Sequence, residues 1–265
     1  MASQAPGPWD IIKKLNLFAN MSDLSLSLTT ALELLTSADP VLWAIVGRSL
    51  WVSACATVLA CAIGLLLGAG LGVARFRGRD AVLTVLNTLL ALPSVVVGLL
   101  VYLLLSRSGP LGHLGWLFSV KAMIVAQTIL VLPICMALTR QQIEDAERNH
   151  GEQLQSLGAQ VWMRSLLLAW DARFALLTVC IAVFGRAVSE VGAVMMVGGN
   201  IDGFTRVMTT AIALETSKGD LPLALALGAI LLTVVLALNA CIALLRRWRI
   251  RYEGGHAATA GVMGV

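Results

Sequence analysis

Two charged residues stand inside an otherwise apolar run. Arg186 and Glu190, in VCIAVFGRAVSEVGAVMMVGG, are four residues apart, so a helix places them on one face and lets them pair. A charge at the centre of a bilayer costs about 2.5–3.5 kcal/mol on insertion scales, so both should face a bundle interior or a watery path. Two readings stay open. The pair is a structural lock between helices, or it forms, with Ser189 beside it, a gate along an anion path. In the second reading Arg186 supplies positive potential and Glu190 keeps the ion from being trapped, because a conducted ion must leave as readily as it enters.

A second constellation is mechanical rather than chemical. Between Arg140 and Arg173 the apolar chain gives way to a long polar stretch that contains EQLQSLGA. Residues 146–157 alternate charged and apolar positions at helical spacing, and residues 161–170 are apolar with Arg164 interposed. Gly158 between them can take the positive φ of a turn. Glu152, Leu157, Gly158 and Ala159 therefore sit at the elbow of a helix–turn–helix that can plug into another protein. The competing reading is a solvated connector with an incidental amphipathic helix.

Other chemistry is excluded by what is missing. No GxxxxGK[ST] run exists to cradle a nucleotide's phosphates. His113, His150 and His256 are scattered, and Cys55, Cys61, Cys135, Cys180 and Cys241 lie in apolar runs without CxxC spacing. The cysteines read as small buried hydrophobes. No catalytic residue, no metal site and no cofactor is expected within the chain, so any ATP must be bound by a partner subunit.

The elements that position these residues are membrane helices. Of the 265 residues, 58% are hydrophobic and 13% charged, with a mean hydropathy of +0.86. That composition excludes a soluble globular domain. A span needs about 20 mainly apolar residues. Residues 50–74, 81–106, 122–138 and 221–245 qualify, and 174–198 qualifies if Arg186 and Glu190 are tolerated. Five spans are expected, with a sixth as the alternative. Residues 24–35 are too short to span and read as an amphipathic helix on the interface or against the bundle. Pro93 and Pro133 each interrupt a span and should bend it, as fixed kinks or as flexing points. Gly64, Gly68 and Gly72 recur every four residues, a smooth face for close helix contact that could serve a dimer interface.

Basic residues orient the bundle. Eleven Lys and Arg follow spans one, three and five, against seven in the N-terminal region and the other two loops. The positive-inside tendency puts the N-terminus outside, and the 140–173 loop and the C-terminus in the cytoplasm. This distribution explains a pI near 9.0 without nucleic acid. Residues 1–42 read as an extracytoplasmic or interfacial segment, and 249–265 as a disordered cytoplasmic tail. No signal peptide is apparent in MASQAPGPWDIIKK.

EQLQSLGAQVWMRSLLLAWDAR resembles the cytoplasmic loop of importer-type ABC permeases, whose pattern is E-A-A-x-x-x-G followed by an apolar residue and proline. Glu152 falls on the glutamate and Gly158 on the glycine. Gln153 and Leu154 replace the alanines, and Asp171 stands where proline is expected. A longer stretch, FGRAVSEVGAVMMVGGNIDGFTRVMTTAIALETSKGDLPLALALG, closely resembles permeases of tungstate-uptake ABC transporters, with molybdate and sulfate permeases more distant. The likeness runs roughly from residue 43 to residue 248. It implies an all-α, polytopic membrane bundle of the type I ABC importer permease fold, acting as a homodimer in the cell membrane. It also implies cytoplasmic ATPase subunits docked on the loop and an extracytoplasmic oxyanion-binding protein that delivers tungstate. The alternatives are another tetrahedral dianion as cargo, or a secondary transporter that uses Arg186 and Glu190 as coupling groups.

Overall fold

The computed structural model describes residues 29–31, 33, 36, 37 and 39–262, the side chains of 246 and 248–262 excepted. Among them every regular element is helical: α1 Pro40–Val73, α2 Arg79–Leu90, α3 Ser94–Leu105, a 3₁₀ turn Gly112–Leu114, α4 Val120–Ser156, α5 Val161–Asp171, α6 Arg173–Val188, α7 Gly192–Gly198, α8 Met208–Lys218 and α9 Leu221–Val262. Three helices, α1, α4 and the Leu221–Leu245 part of α9, are long and apolar enough to cross a membrane. The count reaches five if two sharply bent pairs each make one span. This is a multi-pass, all-α membrane bundle.

The first span begins ten residues before the apolar run at residue 50. Asp39 accepts hydrogen bonds from the backbone N–H of Val41 at 2.7 Å and Leu42 at 3.1 Å, and Pro40 occupies the first turn, where its missing N–H costs nothing. The boundary drawn at residues 42 and 43 thus falls inside α1. Residues 24–35 lie largely outside the described residues. Ala31 is described, buried with Leu42, Ile45 and Met208.

The core of the bundle is the α1–α4 contact. A Cβ added at Gly64 would stand 2.8 Å from Cys135, one at Gly68 2.7 Å from the Met136 carbonyl, and one at Gly72 2.8 Å from Ile143. The glycine face is therefore consumed within one chain, which corrects its reading as a dimer contact. Only residues without Cβ let the two backbones approach so closely.

The two prolines behave differently. At residues 91–93 the second span is not kinked but turned through a corner, with α2 and α3 meeting at 96°. Pro93 caps α3 with φ −63° and ψ 128°, and its carbonyl accepts from Val96 and Val97. The expected continuous span at 81–106 is corrected to two helices. Pro133 lies within α4, which runs 37 residues without interruption. Pro133 is buried, and its neighbours Val131 and Cys135 pack against α1 and α6, which supports the helix despite the lost hydrogen bond. At about 1.5 Å per residue α4 is about 55 Å long, so it projects well past a hydrocarbon core of about 30 Å.

The fourth span is corrected as well. α6 ends at Val188, residues 189–191 break the ladder, and α7 resumes for seven residues. α9 continues to Val262, so a helix occupies most of the tail read as disordered.

Candidate functional site

The break at 189–191 is where the charged pair sits. Arg186, in the last turn of α6, donates to Glu190 Oε2 at 2.7 Å. The other carboxylate oxygen, Oε1, lies 3.4 Å from the Ala193 N–H at the start of α7. The Glu190 carbonyl accepts from Thr209 Oγ1 at 2.8 Å, and the Ala187 carbonyl from Gln127 Nε2 at 3.0 Å. Thus α6, α7, α8 and α4 all converge on one interruption, and buried side chains replace the helical partners it loses. Ser189 is exposed and spends its hydroxyl on the carbonyls of Gly185 and Arg186.

This interruption faces the other one. A Cβ on Gly192 would lie 2.7 Å from Ser94 Oγ, one residue past Pro93, and a Cβ on Gly98 would lie 2.8 Å from the Ala193 Cα. The two discontinuous spans cross beside their breaks, at glycines. Ser94, Gly98 and Gly192 belong to this site although the charge pattern did not point to them.

The polar elbow forms as the periodicity implied. α4 extends to Ser156, Leu157 caps it, and Gly158 has φ +77°. The Ala159 N–H bonds the Leu154 carbonyl at 3.0 Å, and the Gly158 N–H bonds the Gln155 carbonyl at 2.9 Å. These two bonds are the Schellman pattern, which requires a left-handed residue at the Gly158 position. Glu152 is exposed on the last turns of α4, and Leu157 is 81% exposed at the tip.

α5 then leaves the elbow and meets α6 at 79°. Its inner face carries Arg164 and Leu168, and Ala172, which caps it, continues the line at the same four-residue spacing. Leu168 and Ala172 are buried with Val73 and Ile143. Arg164 pairs with Glu147 at 2.8 Å, both about nine-tenths buried. On the outer face Trp162, Leu166 and Trp170 are all more than half exposed. A helix that buries an ion pair and exposes two tryptophans has a fixed pose and an unpaired apolar surface. Asp171, in the place of the expected proline, lies 4.0 Å from His150 Nδ1.

Next to the elbow, Glu144 is shared between Arg140 at 2.8 Å and Arg79. The i,i+4 spacing of Arg140 and Glu144 was visible in the sequence. The long-range partner Arg79 was not. On the α8 side Glu215 is buried against Arg206 and Lys218, and Arg48 donates to the carbonyls of Gly203 and Arg206. No cluster of metal-binding side chains exists among the described residues.

The bundle can be set against known proteins. The chain is 43% identical over 216 residues to a tungstate uptake system permease protein of Peptoclostridium acidaminophilum, covering 80% of this chain and 93% of the relative. It is 43% identical over 197 residues to a probable anion ABC transporter permease protein of Haloferax volcanii, covering 72% and 85%. A tungstate uptake system permease protein of Campylobacter jejuni is 40% identical over 209 residues, covering 79% and 87%. The profile of the family described as "Binding-protein-dependent transport system inner membrane component" matches residues 60–251. That match takes in both corners, the charged pair and the elbow, and it removes the basis for an ion-gradient transporter. The chain belongs to the binding-protein-dependent transport system inner membrane components, the permeases of type I ABC import systems.

Proposed function

We propose that this permease carries tungstate inward, receiving it from an extracytoplasmic binding protein and releasing it to the cytoplasm. The observation that carries the reading is identity of 40–43% to two tungstate uptake permeases over about four fifths of the chain. The permease is non-catalytic and binds no cofactor; cytoplasmic ATPase subunits hydrolyse ATP. Two copies of the permease form the conducting unit, with the N-terminus outside and the C-terminus inside.

The geometry supports a mechanism. The ATPase grips the surface made by Glu152, Leu157, Ala159 and the outer face of α5, where Trp162, Leu166 and Trp170 offer apolar contact. Because α4 is one rod from Val120 to Ser156, displacement of the Gly158 elbow moves the membrane part of α4. Gln127 on that rod holds the Ala187 carbonyl, three residues from Glu190. Motion of the elbow therefore reaches the break that holds Arg186, Ser189 and Glu190, which serves as the gate. A half-exposed guanidinium beside a buried carboxylate attracts an oxyanion without holding it tightly.

The test is a reconstituted assembly of permease, ATPase and binding protein in sealed vesicles. ATP-dependent accumulation of tungstate supports the reading; no accumulation of tungstate with all three components present ends it. Molybdate and sulfate remain the competing cargoes, because the Haloferax volcanii relative is named only for an anion. Competition at equal concentration ranks the three.

A further inference from the structure

A cavity of about 490 Å³ opens beside the elbow, between the end of α1, the start of α2, the projecting part of α4, and α5. Five arginines line it: Arg75, Arg79, Arg140, Arg148 and Arg164. Three glutamates, Glu144, Glu147 and Glu152, face them, which leaves a surplus of two positive charges. Arg148 lies 3.7 Å from Asp145 Oδ1, outside the lining, which lowers the surplus to one but does not remove it. Glu147 is matched to Arg164, but Arg79 and Arg140 share the single carboxylate of Glu144. Arg75 is exposed and makes no ion pair or side-chain hydrogen bond among the described residues.

A second observation is independent of charge counting. The Nε donors of Arg79, Arg140 and Arg164 are buried and have no acceptor among the described residues. A buried donor on a charged group is costly to leave unpaired, and folded proteins rarely leave three beside one cavity. Glu147 Oε2 is a buried acceptor left over beside them, but one oxygen cannot serve three donors, and an oxygen-rich anion supplies the rest. The planar guanidinium fork matches a phosphate or similar tetrahedral group in two-point contact.

We propose that this cavity binds a tetrahedral, doubly charged oxyanion group of the phosphate type, held chiefly by Arg75, Arg79 and Arg140. The site lies at the base of the bundle, on the polar side of α4 beyond Arg140, and is separate from the break at Arg186 and Glu190. It does not depend on which ion the permease conducts. The group is either a free inorganic anion or the phosphate monoester of an anionic lipid, and the chemistry that recognises the two is the same.

The full-length permease, purified in detergent and stripped of lipid, is titrated with inorganic phosphate by calorimetry, and the unstripped protein is examined by native mass spectrometry. Saturable phosphate binding is expected, weakened about tenfold by Arg75→Gln and again by Arg140→Gln. Arg107→Gln, which is not part of the cavity lining, should change nothing. Arg75 has no partner to lose among the described residues, so its variant keeps the fold if Arg140→Gln does not. A lipid source shows itself as one phosphate-monoester lipid retained per chain before stripping and lost in Arg75→Gln; a free-anion source shows no retained lipid. The proposal is overturned if neither phosphate nor lipid binds, which would leave water as the filling of the cavity. Binding that survives Arg75→Gln and Arg140→Gln unchanged overturns it equally.

Discussion

Glu190 and Arg186 share one ion pair but not one environment: the carboxylate side chain is 4% exposed and the guanidinium 43%. The buried member is also the one tied to neighbouring elements, through the Ala193 N–H and the Thr209 hydroxyl. Arg186 is thus the half-exposed member of the pair, and Glu190 the fixed one. This asymmetry suits attraction of an anion, and it makes the arginine the more dangerous residue to remove.

Arg186→Ala should strand a buried carboxylate, whereas Arg186→Ala combined with Glu190→Leu removes both charges. Losing one partner of a buried pair costs about 3–5 kcal/mol, which partial exposure of Arg186 reduces to about 1–2. Thermal unfolding in detergent should rank the single variant below the double. Equal melting temperatures would show that the pair contributes no coupling.

At Gly158 the space around an added Cβ is open, yet φ is +77°. A side chain there strains the backbone by about 1–2 kcal/mol without any clash. Gly158→Asn should therefore be tolerated better than Gly158→Val, since Asn visits the left-handed region. The readout is the amount of ATPase that co-purifies with the permease. If both variants retain full co-purification, the turn is not needed for docking.

Two glycines two residues apart on α1 should respond oppositely. Gly68→Ala drives a methyl to 2.7 Å from the Met136 carbonyl, and overpacking of this kind costs about 1–3 kcal/mol. Gly70→Ala meets nothing within 4 Å, and helix propensity favours it by about 0.8–1.0 kcal/mol in water-soluble helices. Melting temperatures of the two variants decide the matter. A destabilising Gly70→Ala with a neutral Gly68→Ala would place the α1–α4 contact elsewhere.

The Arg164–Glu147 pair pins α5 to α4 with both groups about nine-tenths buried. Arg164→Met should loosen α5 by about 3–5 kcal/mol, and adding Glu147→Leu should restore most of it. Hydrogen exchange across Val161–Asp171 measures this directly. Unchanged protection in Arg164→Met would mean that Leu168 and Ala172 hold α5 alone.

Much of this protein is local and can be read along the chain. Apolar runs locate the membrane helices, because burying backbone in hydrocarbon demands about 20 apolar residues whatever surrounds them. The elbow is equally local: α4 ends at Leu157 and α5 begins at Val161 because Gly158 supplies a conformation other residues resist. What distance in sequence hides is set by packing. One local rule predicts the same bend at Pro93 and Pro133, yet the first lies at a 96° corner facing Gly192, while the helix runs on through the second without a break. Gly64, Gly68 and Gly72 announce a close partner without saying which, and only the folded chain names Cys135, Met136 and Ile143. The same holds for Arg79 and Glu144, which lie 65 positions apart. Side-chain type determines which contacts are possible, but membrane helices lack a hydrophobic drive toward one another, so steric fit and buried hydrogen bonds choose among them.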